Sequence, residues 1–218
     1  MAVVVLLVVL IAGFGRKHPS PPSLADAPNA AIPGELLFVD NDGCFVRAAA
    51  SGASRETVYC AGSQKGGPVT WIDANTIGYL DYRDSSGATL VAIELTTKKE
   101  RDTGQTVDFK GGPVSAESVR GERVDTDEEG RVFRITDGVR TEIADFDVPE
   151  YSGLTAVTWS PDGDWILLAY HGRNSDGGEL WILSRDGATQ GTIARGVQST
   201  WASWRIDGVG ISPALAER

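Results

Sequence analysis

Histidines, cysteines and clustered carboxylates supply most catalytic and metal sites, and this chain is sparing with the first two. His18 and His171 are the two imidazoles in 218 residues. A histidine-based triad or a multi-histidine metal centre needs several such groups converging on one point, so neither is expected. His171 opens the stretch His171-Gly172-Arg173-Asn174-Ser175-Asp176-Gly177-Gly178 and reads as an exposed loop residue. Asp125-Thr126-Asp127-Glu128-Glu129-Gly130 has carboxylates at alternate positions and glycine sixth, as a calcium loop begins. Such a loop ends on a glutamate at its twelfth position, where Thr136 stands, and Arg131 and Arg134 add positive charge. An acidic hairpin turn is the expectation there, and for Asp40-Asn41-Asp42-Gly43 as well. Carboxylate pairs suited to glycoside chemistry would meet in space rather than in sequence, and the acidic residues here fall in turns that account for them. No Gly-x-Ser-x-Gly nucleophile elbow is present. No catalytic residue, cofactor or metal is expected.

Cys44 and Cys60 are the two cysteines. They fall on consecutive expected strands of one hairpin centred on Ser51 or Gly52, nearly opposite each other. Cross-strand partners at non-hydrogen-bonded positions approach to about 4.5 Å between Cα atoms, within disulfide range. A disulfide is the expectation, with two reduced core thiols as the alternative.

The elements that carry these residues repeat. Lys65-Gly66-Gly67-Pro68-Val69-Thr70 returns as Lys110-Gly111-Gly112-Pro113-Val114-Ser115, and Ala156-Val157-Thr158-Trp159 and Trp201-Ala202-Ser203-Trp204 repeat its core. Val69, Val114, Val157 and Ala202 are equivalent, at separations of 45, 43 and 45 residues. That period suits one four-stranded unit per repeat. Short apolar or alternating runs broken by Gly, Asp, Asn and Ser predict strands joined by tight turns. In the clearest copy they cover Ala156 to Ser160, Trp165 to Tyr170, Glu179 to Leu183 and Gln190 to Ala194. Pro161-Asp162-Gly163 and Arg185-Asp186-Gly187 have turn chemistry.

A second copy predicts Val69 to Ile72, Thr76 to Tyr82, Thr89 to Leu95 and a weaker strand before Gly104. The third is degenerate, with a first strand near Val114, Ala116 where its neighbours have Trp71 and Trp159, then Arg123 to Asp125, Arg131 to Thr136 and Arg140 to Ala144. In the first copy Glu35 to Asp40, Cys44 to Ala48 and Glu56 to Cys60 match second, third and fourth strands, and nothing upstream matches a first. At the far end Thr200 to Ile206 matches a first strand without a unit to follow. An open sheet edge is a hazard that ring-shaped folds remove by pairing their ends. The expectation is an all-β propeller of four four-stranded blades, closed by pairing of the N- and C-terminal strands. A partial copy of a six-bladed ring is the alternative.

The motif Trp159-Ser160-Pro161-Asp162-Gly163, with the apolar strand that ends in Asp186-Gly187, resembles the TolB-like, WD40-like (PD40) propeller repeat. Residues 156–208 carry the likeness; elsewhere Trp71-Ile72-Asp73 and Trp204-Arg205-Ile206-Asp207-Gly208 keep parts of it. The resemblance implies an exported scaffold that binds protein partners. The expected four blades depart from that family's usual six, and a separate N-terminal domain like TolB's is not expected. Similar propellers precede the catalytic domain of prolyl-oligopeptidase-type peptidases, but no hydrolase domain is expected.

Lys plus Arg number 20 against 30 Asp plus Glu, a net charge of −10, which disfavours nucleic acid and anionic membrane. Ala2 to Phe14 is apolar and shorter than a bilayer span of roughly 20 residues, as a signal-peptide core is. Arg16, Lys17 and His18 follow it, and no basic residue precedes it. The expected organisation is a signal peptide or membrane anchor over 1–15, a Pro/Ala-rich linker over 16–33, the propeller over 34–208 and a tail over 209–218. An exported or anchored chain permits a disulfide.

In a propeller the loops between second and third strands, and the blade-to-blade connectors, share one face. The candidate binding residues there are Lys65, Arg83, Asp84, Lys110, Asp125, Asp127, His171, Arg173, Asn174 and Asp176. The expected function is a noncatalytic, extracytoplasmic, monomeric scaffold for a protein or peptide of the cell envelope. The alternatives are a propeller hydrolase or lyase on a carbohydrate or small metabolite, and an inactive truncated paralogue.

Overall fold

The computed structural model describes residues 31–60, 68–84, 87–107, 117–146, 148, 152–172 and 177–212, with backbone alone for 82–84, 87, 107, 199 and 200. Among these residues there are strands and no helix. The strands are β1 (Glu35–Asp40), β2 (Cys44–Ala49) and β3 (Arg55–Cys60); β4 (Val69–Trp71), β5 (Thr76–Asp84), β6 (Gly87–Glu94) and β7 (Glu100–Val107); β8 (Arg123–Thr126), β9 (Arg131–Thr136) and β10 (Val139–Asp145); and β11 (Gly153–Trp159), β12 (Trp165–His171), β13 (Gly178–Ser184), β14 (Gln190–Ile206) and β15 (Gly210–Ser212).

Neighbours in sequence pair antiparallel, giving a four-stranded meander β4-β5-β6-β7 and a three-stranded one β10-β9-β8. The third sheet has the order β11-β12-β13-β14-β1-β2-β3, with β15 on β14 as well. It exists because β14 is 17 residues long and serves two neighbourhoods. Its first half pairs with β13, from Leu183↔Gln190 to Gly178↔Val197. Its second half pairs with β1, where Leu36 faces Trp204 and Phe38 faces Ala202. The expected pairing of the strand at Trp204 with the segment that holds both cysteines is therefore present. Two strands were expected over this stretch with a break between them. The chain instead runs through Gly196, whose φ of 67° absorbs a change of direction without ending the strand.

Burial follows the strand period and depth. β12, Trp-Ile-Leu-Leu-Ala-Tyr-His, is buried on both faces through Tyr170, as its unbroken apolar run requires. The last strands of the meanders are polar: in β3 only Val58 is buried, and β10 buries none of its residues. Charged side chains and register shifts on these outer edges discourage addition of a foreign strand. β7, expected to stop before Gly104, continues to Val107 past a register shift in which Gly104 has a φ of 71°.

Three apolar clusters fill the spaces between meanders, each with a tryptophan from the repeated position. Trp204 lies with Leu36, Phe38, Leu167 and Leu180. Trp159 lies with Val132, Leu154, Leu168 and Trp181. Trp71 lies with Leu37, Phe45, Ile77 and Tyr79. Burying a large aromatic in each contact is worth a few kcal/mol by area alone.

Equivalent turns reuse one hydrogen-bond set. The Ser160 Oγ accepts the Trp165 N–H (2.9 Å), Asp162 Oδ1 accepts the Asp164 N–H (3.1 Å), and the Gly163 N–H reaches the Ser160 carbonyl (2.8 Å). At Ser184-Arg185-Asp186-Gly187 the same three bonds go from Thr189, Ala188 and Gly187. The degenerate third copy keeps Ser118, whose hydroxyl accepts the Arg120 and Glu122 N–H groups, and lacks the aspartate. Its expected first strand near Val114 lies outside the described residues.

Packing begins before residue 34, since Ile32 is buried with Leu36 and the Pro33 carbonyl accepts Trp204 Nε1 at 3.0 Å. It also continues past residue 208, where β15 pairs with β14 from Ile206↔Gly210 to Trp204↔Ser212. Ser203, fully buried, joins three strands. Its hydroxyl accepts the Trp71 N–H of β4 (3.2 Å), lies 3.4 Å from Thr70 Oγ1 and donates to the Ser212 carbonyl (3.1 Å).

Candidate binding face

At one end of the long sheet its two halves meet at Val197, which faces Gly178 on one side and Asp40 on the other. The Asp40-Asn41-Asp42-Gly43 turn sits on this junction, with the Asn41 N–H donating to the Gly196 carbonyl (3.0 Å). It is the expected hairpin turn. Asp40 Oδ1 accepts the N–H groups of Asp42 and Cys44, and Gly43 has a φ of 74°. Asn41 packs against Gly177, where a Cβ would lie 2.3 Å from its amide atoms. Glycine at 177 is what lets the β12–β13 connection close onto the β1–β2 turn.

Cys44 and Cys60 face each other at the same end, on the last rung of β2 and β3. They are joined by a disulfide with 4.1 Å between Cα atoms. It clamps the exposed strand β3 at the point where the chain leaves for β4.

His171 ends β12 opposite Gly153. It is half-buried, and burial pushes its imidazole below the ordinary histidine value. Nε2 has no hydrogen-bond partner among the described residues. The expectation of an exposed loop histidine is thereby corrected: the ring is held between the strand ends, with its Cε1 and Nδ1 about 3.0 Å from where a Gly178 Cβ would be.

The acidic turn is adjacent. Thr126 Oγ1 donates to the Leu154 carbonyl (2.8 Å), which fixes the end of β8 against β11, beside the Gly153–His171 pair. Asp127 heads the turn, its carboxylate accepting the Arg131 N–H (2.9 Å) and Nε–H (2.8 Å). Burial raises the Asp127 pKa, but these bonds outweigh it and hold the group below the usual carboxylate range. Asp125 accepts from its neighbour's N–H and from Arg140 (3.3 Å), whose guanidinium lies 3.4 Å over the Phe133 ring. The turn is committed to protein donors. No group of three or more metal-ligating side chains gathers among the described residues.

Asp42 and Glu128 are exposed carboxylates on the turn tips, and exposed Glu129 accepts Arg131 Nη2 at 3.2 Å. Arg83 and Asp84 end β5 in the β5–β6 hairpin, where Asp84 faces Gly87. Of the ten candidate residues, the fold brings Asp127 and His171 to neighbouring strand ends, sets Asp125 one step inward, and puts Arg83 and Asp84 at the β5–β6 hairpin. Lys65, Lys110, Arg173, Asn174 and Asp176 lie outside the described residues.

At the other end of these strands, a buried polar cluster absent from the sequence expectations joins the β8–β10 sheet to the β13–β14 turn. Glu122, at 3% side-chain exposure, accepts Arg185 Nε and Nη2 at 2.6 Å each and Thr136 Oγ1 at 3.1 Å, with Arg134 Nε 3.7 Å away. The Arg185 bonds, despite opposing burial, hold its carboxyl below the usual range. Arg134 also donates to the Arg185 carbonyl (3.1 Å). Gly187 in the same turn approaches β10 so closely that a Cβ would be 1.8 Å from the Ile143 carbonyl oxygen. A 63-residue separation hides the Glu122–Arg185 pair from any local pattern. The Arg185-Asp186-Gly187 turn was its one visible trace.

No protein-family model matches the chain, and no curated protein matches it. Among solved structures it is similar to TolB from Acinetobacter baumannii, at 11% identity and a TM-score of 0.29, over 83% of this chain and 49% of that one. Putative TolB from Agrobacterium tumefaciens aligns at 16% identity and a TM-score of 0.28, over 74% and 61%. A chain of the nidogen/laminin complex aligns at 14% and 0.27, over 81% and 63%. The chain thus spans less than two thirds of the length of each.

Proposed function

We propose that the chain is a four-bladed TolB-like propeller, a noncatalytic extracytoplasmic scaffold that binds a protein or peptide of the cell envelope at its loop end. The observation that carries this reading is the junction at Val197, where the Asp40–Gly43 turn and the β12–β13 connection lock together beside the Asp127 turn. Loops gathered on a rigid strand base make a recognition surface, because little of the ordering cost is left to be met on binding. Pairing of β1 with the second half of β14 supports a blade built from both ends of the chain. The three-stranded meander β8–β10 supports a further blade. The disulfide supports an oxidising compartment. Residues 1–15 are then a signal peptide or anchor and 16–33 the tether of a monomer.

The exposed carboxylates Asp42 and Glu128 favour a partner surface with basic residues. A photo-crosslinking residue at Glu128, in the full chain within its native envelope, should form a saturable adduct with one protein, and the same residue at exposed Asp186 on the opposite end should not. Equal adducts from both positions, or none from folded protein, would contradict the reading.

A further inference from the structure

Six Asp-Gly pairs recur in this chain: Asp42-Gly43, Asp137-Gly138, Asp162-Gly163, Asp176-Gly177, Asp186-Gly187 and Asp207-Gly208. Such a pair favours attack of a backbone nitrogen on the preceding side-chain carboxyl, because glycine puts no side chain in the way. The attack needs a glycine N–H free of other bonds and a carboxyl group free to turn. Asp176 lies outside the described residues, and the other five pairs differ in both respects.

Three pairs are tied down. The N–H groups of Gly43, Gly163 and Gly187 donate to the carbonyls of Asp40 (3.0 Å), Ser160 (2.8 Å) and Ser184 (2.8 Å). Asp162 and Asp186 are held as well, each accepting a backbone N–H and its serine hydroxyl through Oδ1. Each bond that must open first slows the attack by roughly 2- to 12-fold.

The N–H groups of Gly138 and Gly208 make no hydrogen bond among the described residues. Asp137-Gly138 is nonetheless clamped, as the two-residue turn under the Thr136↔Val139 rung, between strands of six and seven residues. Asp207-Gly208 leads instead into β15, which is three residues long. A turn closed by so short a strand opens at low cost. The Asp207 side chain is 86% exposed, and its carboxylate meets Arg205 Nη2 at 3.6 Å, beyond hydrogen-bond range, while that nitrogen is engaged by Glu35. Nothing lies within 4 Å of the Gly208 Cβ position.

We propose that Asp207-Gly208 is the site at which the folded chain isomerises. The Gly208 nitrogen bonds to Cγ of protonated Asp207 and gives up its proton, the carboxyl hydroxyl leaves, and one water departs as a succinimide ring closes. Water then adds to either ring carbonyl. Addition at the main-chain carbonyl breaks the original Asp207–Gly208 peptide bond and leaves isoaspartate, with a free α-carboxylate, a main chain one atom longer and the composition unchanged. The added atom falls inside the turn that the Val209 N–H closes on the Ile206 carbonyl (3.1 Å). It therefore releases β15 from Trp204–Ile206 and from the Ser203 hydroxyl, and withdraws Ile211 from the Trp71 cluster.

The test is ageing of the folded full chain at neutral pH in water enriched in heavy oxygen, then peptide mapping by electron-transfer fragmentation, which separates aspartate from isoaspartate. Heavy oxygen and isoaspartate should gather at 207, at least about tenfold above 162 and 186, and ageing in denaturant should erase the contrast. Hydrogen exchange over 206–212 should quicken with the isomerised fraction. Asp207→Glu, which keeps the charge and cannot close the same ring, should show no such change on ageing. Equal conversion at 207, 162 and 186 in folded protein, an unmodified 207, or a contrast that persists in denaturant overturns the site. Unchanged exchange in the isomerised chain overturns the release of β15.

Discussion

Replacement of Glu122 by Gln keeps the shape of the side chain and removes its charge. In the native protein this carboxylate is almost fully enclosed and takes two 2.6 Å bonds from Arg185. Charge-assisted bonds of this kind contribute about 1.5–3 kcal/mol each, and breaking a buried ion pair costs about 3–5 kcal/mol. Arg185 is 36% exposed, so water recovers part of the loss. Glutamine can still accept one of the bonds. The expected cost is about 2–3 kcal/mol, which for a domain of this size lowers Tm by about 4–12 °C. Urea unfolding followed by tryptophan fluorescence reads it directly. The dependence on pH is a sharper check. Contact with Arg185 holds the folded Glu122 pKa below its ordinary value, so its contribution is present above the unfolded carboxylate value of 4.5 and is lost as pH falls through the folded one. The gap between wild type and Glu122→Gln should therefore be full at pH 7 and narrow below about pH 4.5. A cost under about 0.5 kcal/mol at pH 7, or a gap unchanged between pH 7 and 3.5, would refute the assignment of Glu122–Arg185 as the tie between the β8–β10 sheet and the β13–β14 turn.

Reducing the Cys44–Cys60 bond, which closes a 16-residue separation, should cost about 3 kcal/mol in unfolding free energy. Reductant should leave Cys44→Ser/Cys60→Ser unaffected, and an unchanged wild-type midpoint would contradict the clamp. Ser203→Ala leaves the Trp71 N–H without its acceptor and frees β15, at about 1–3 kcal/mol; native-state hydrogen exchange should then accelerate at Trp71 and Ser212, and unchanged protection would count against the three-strand junction. His171 should titrate below 6.5 by NMR, because burial disfavours its charged form. Stability should accordingly fall as pH drops from 6.5 through that lower value, and an ordinary midpoint would remove the ring from its enclosed position.

Much of the fold was legible because local chemistry and global packing agree. The run Trp165 to Tyr170, the Asp-Gly turns and the repeated position of Trp71, Trp159 and Trp204 each name an element without help from distant residues. Cys44 and Cys60 were legible as a pair because a hairpin of known midpoint fixes register. The continuous β14 was not, since Arg195-Gly196 looks like a break and only its two partner strands make it one element. β15 escaped because three residues, Gly210 to Ser212, carry no period. At the candidate face the turns at Asp40 and Asp127 followed from their residue types. The partly buried state of His171 did not, because it depends on how strand ends from separate meanders abut.

The first and last long strands of the described chain belong to one sheet, with β1 beside the second half of β14. Glu35 and Arg205 are register partners there, on a rung whose side chains form an ion pair. Oxidation of Glu35→Cys/Arg205→Cys, with cleavage of the chain between them and mass analysis under nonreducing conditions, measures that pairing. A disulfide within one monomer, holding the N- and C-terminal fragments together, is the predicted result. Free thiols at both positions in folded protein, or linkage only between separate chains, would contradict it.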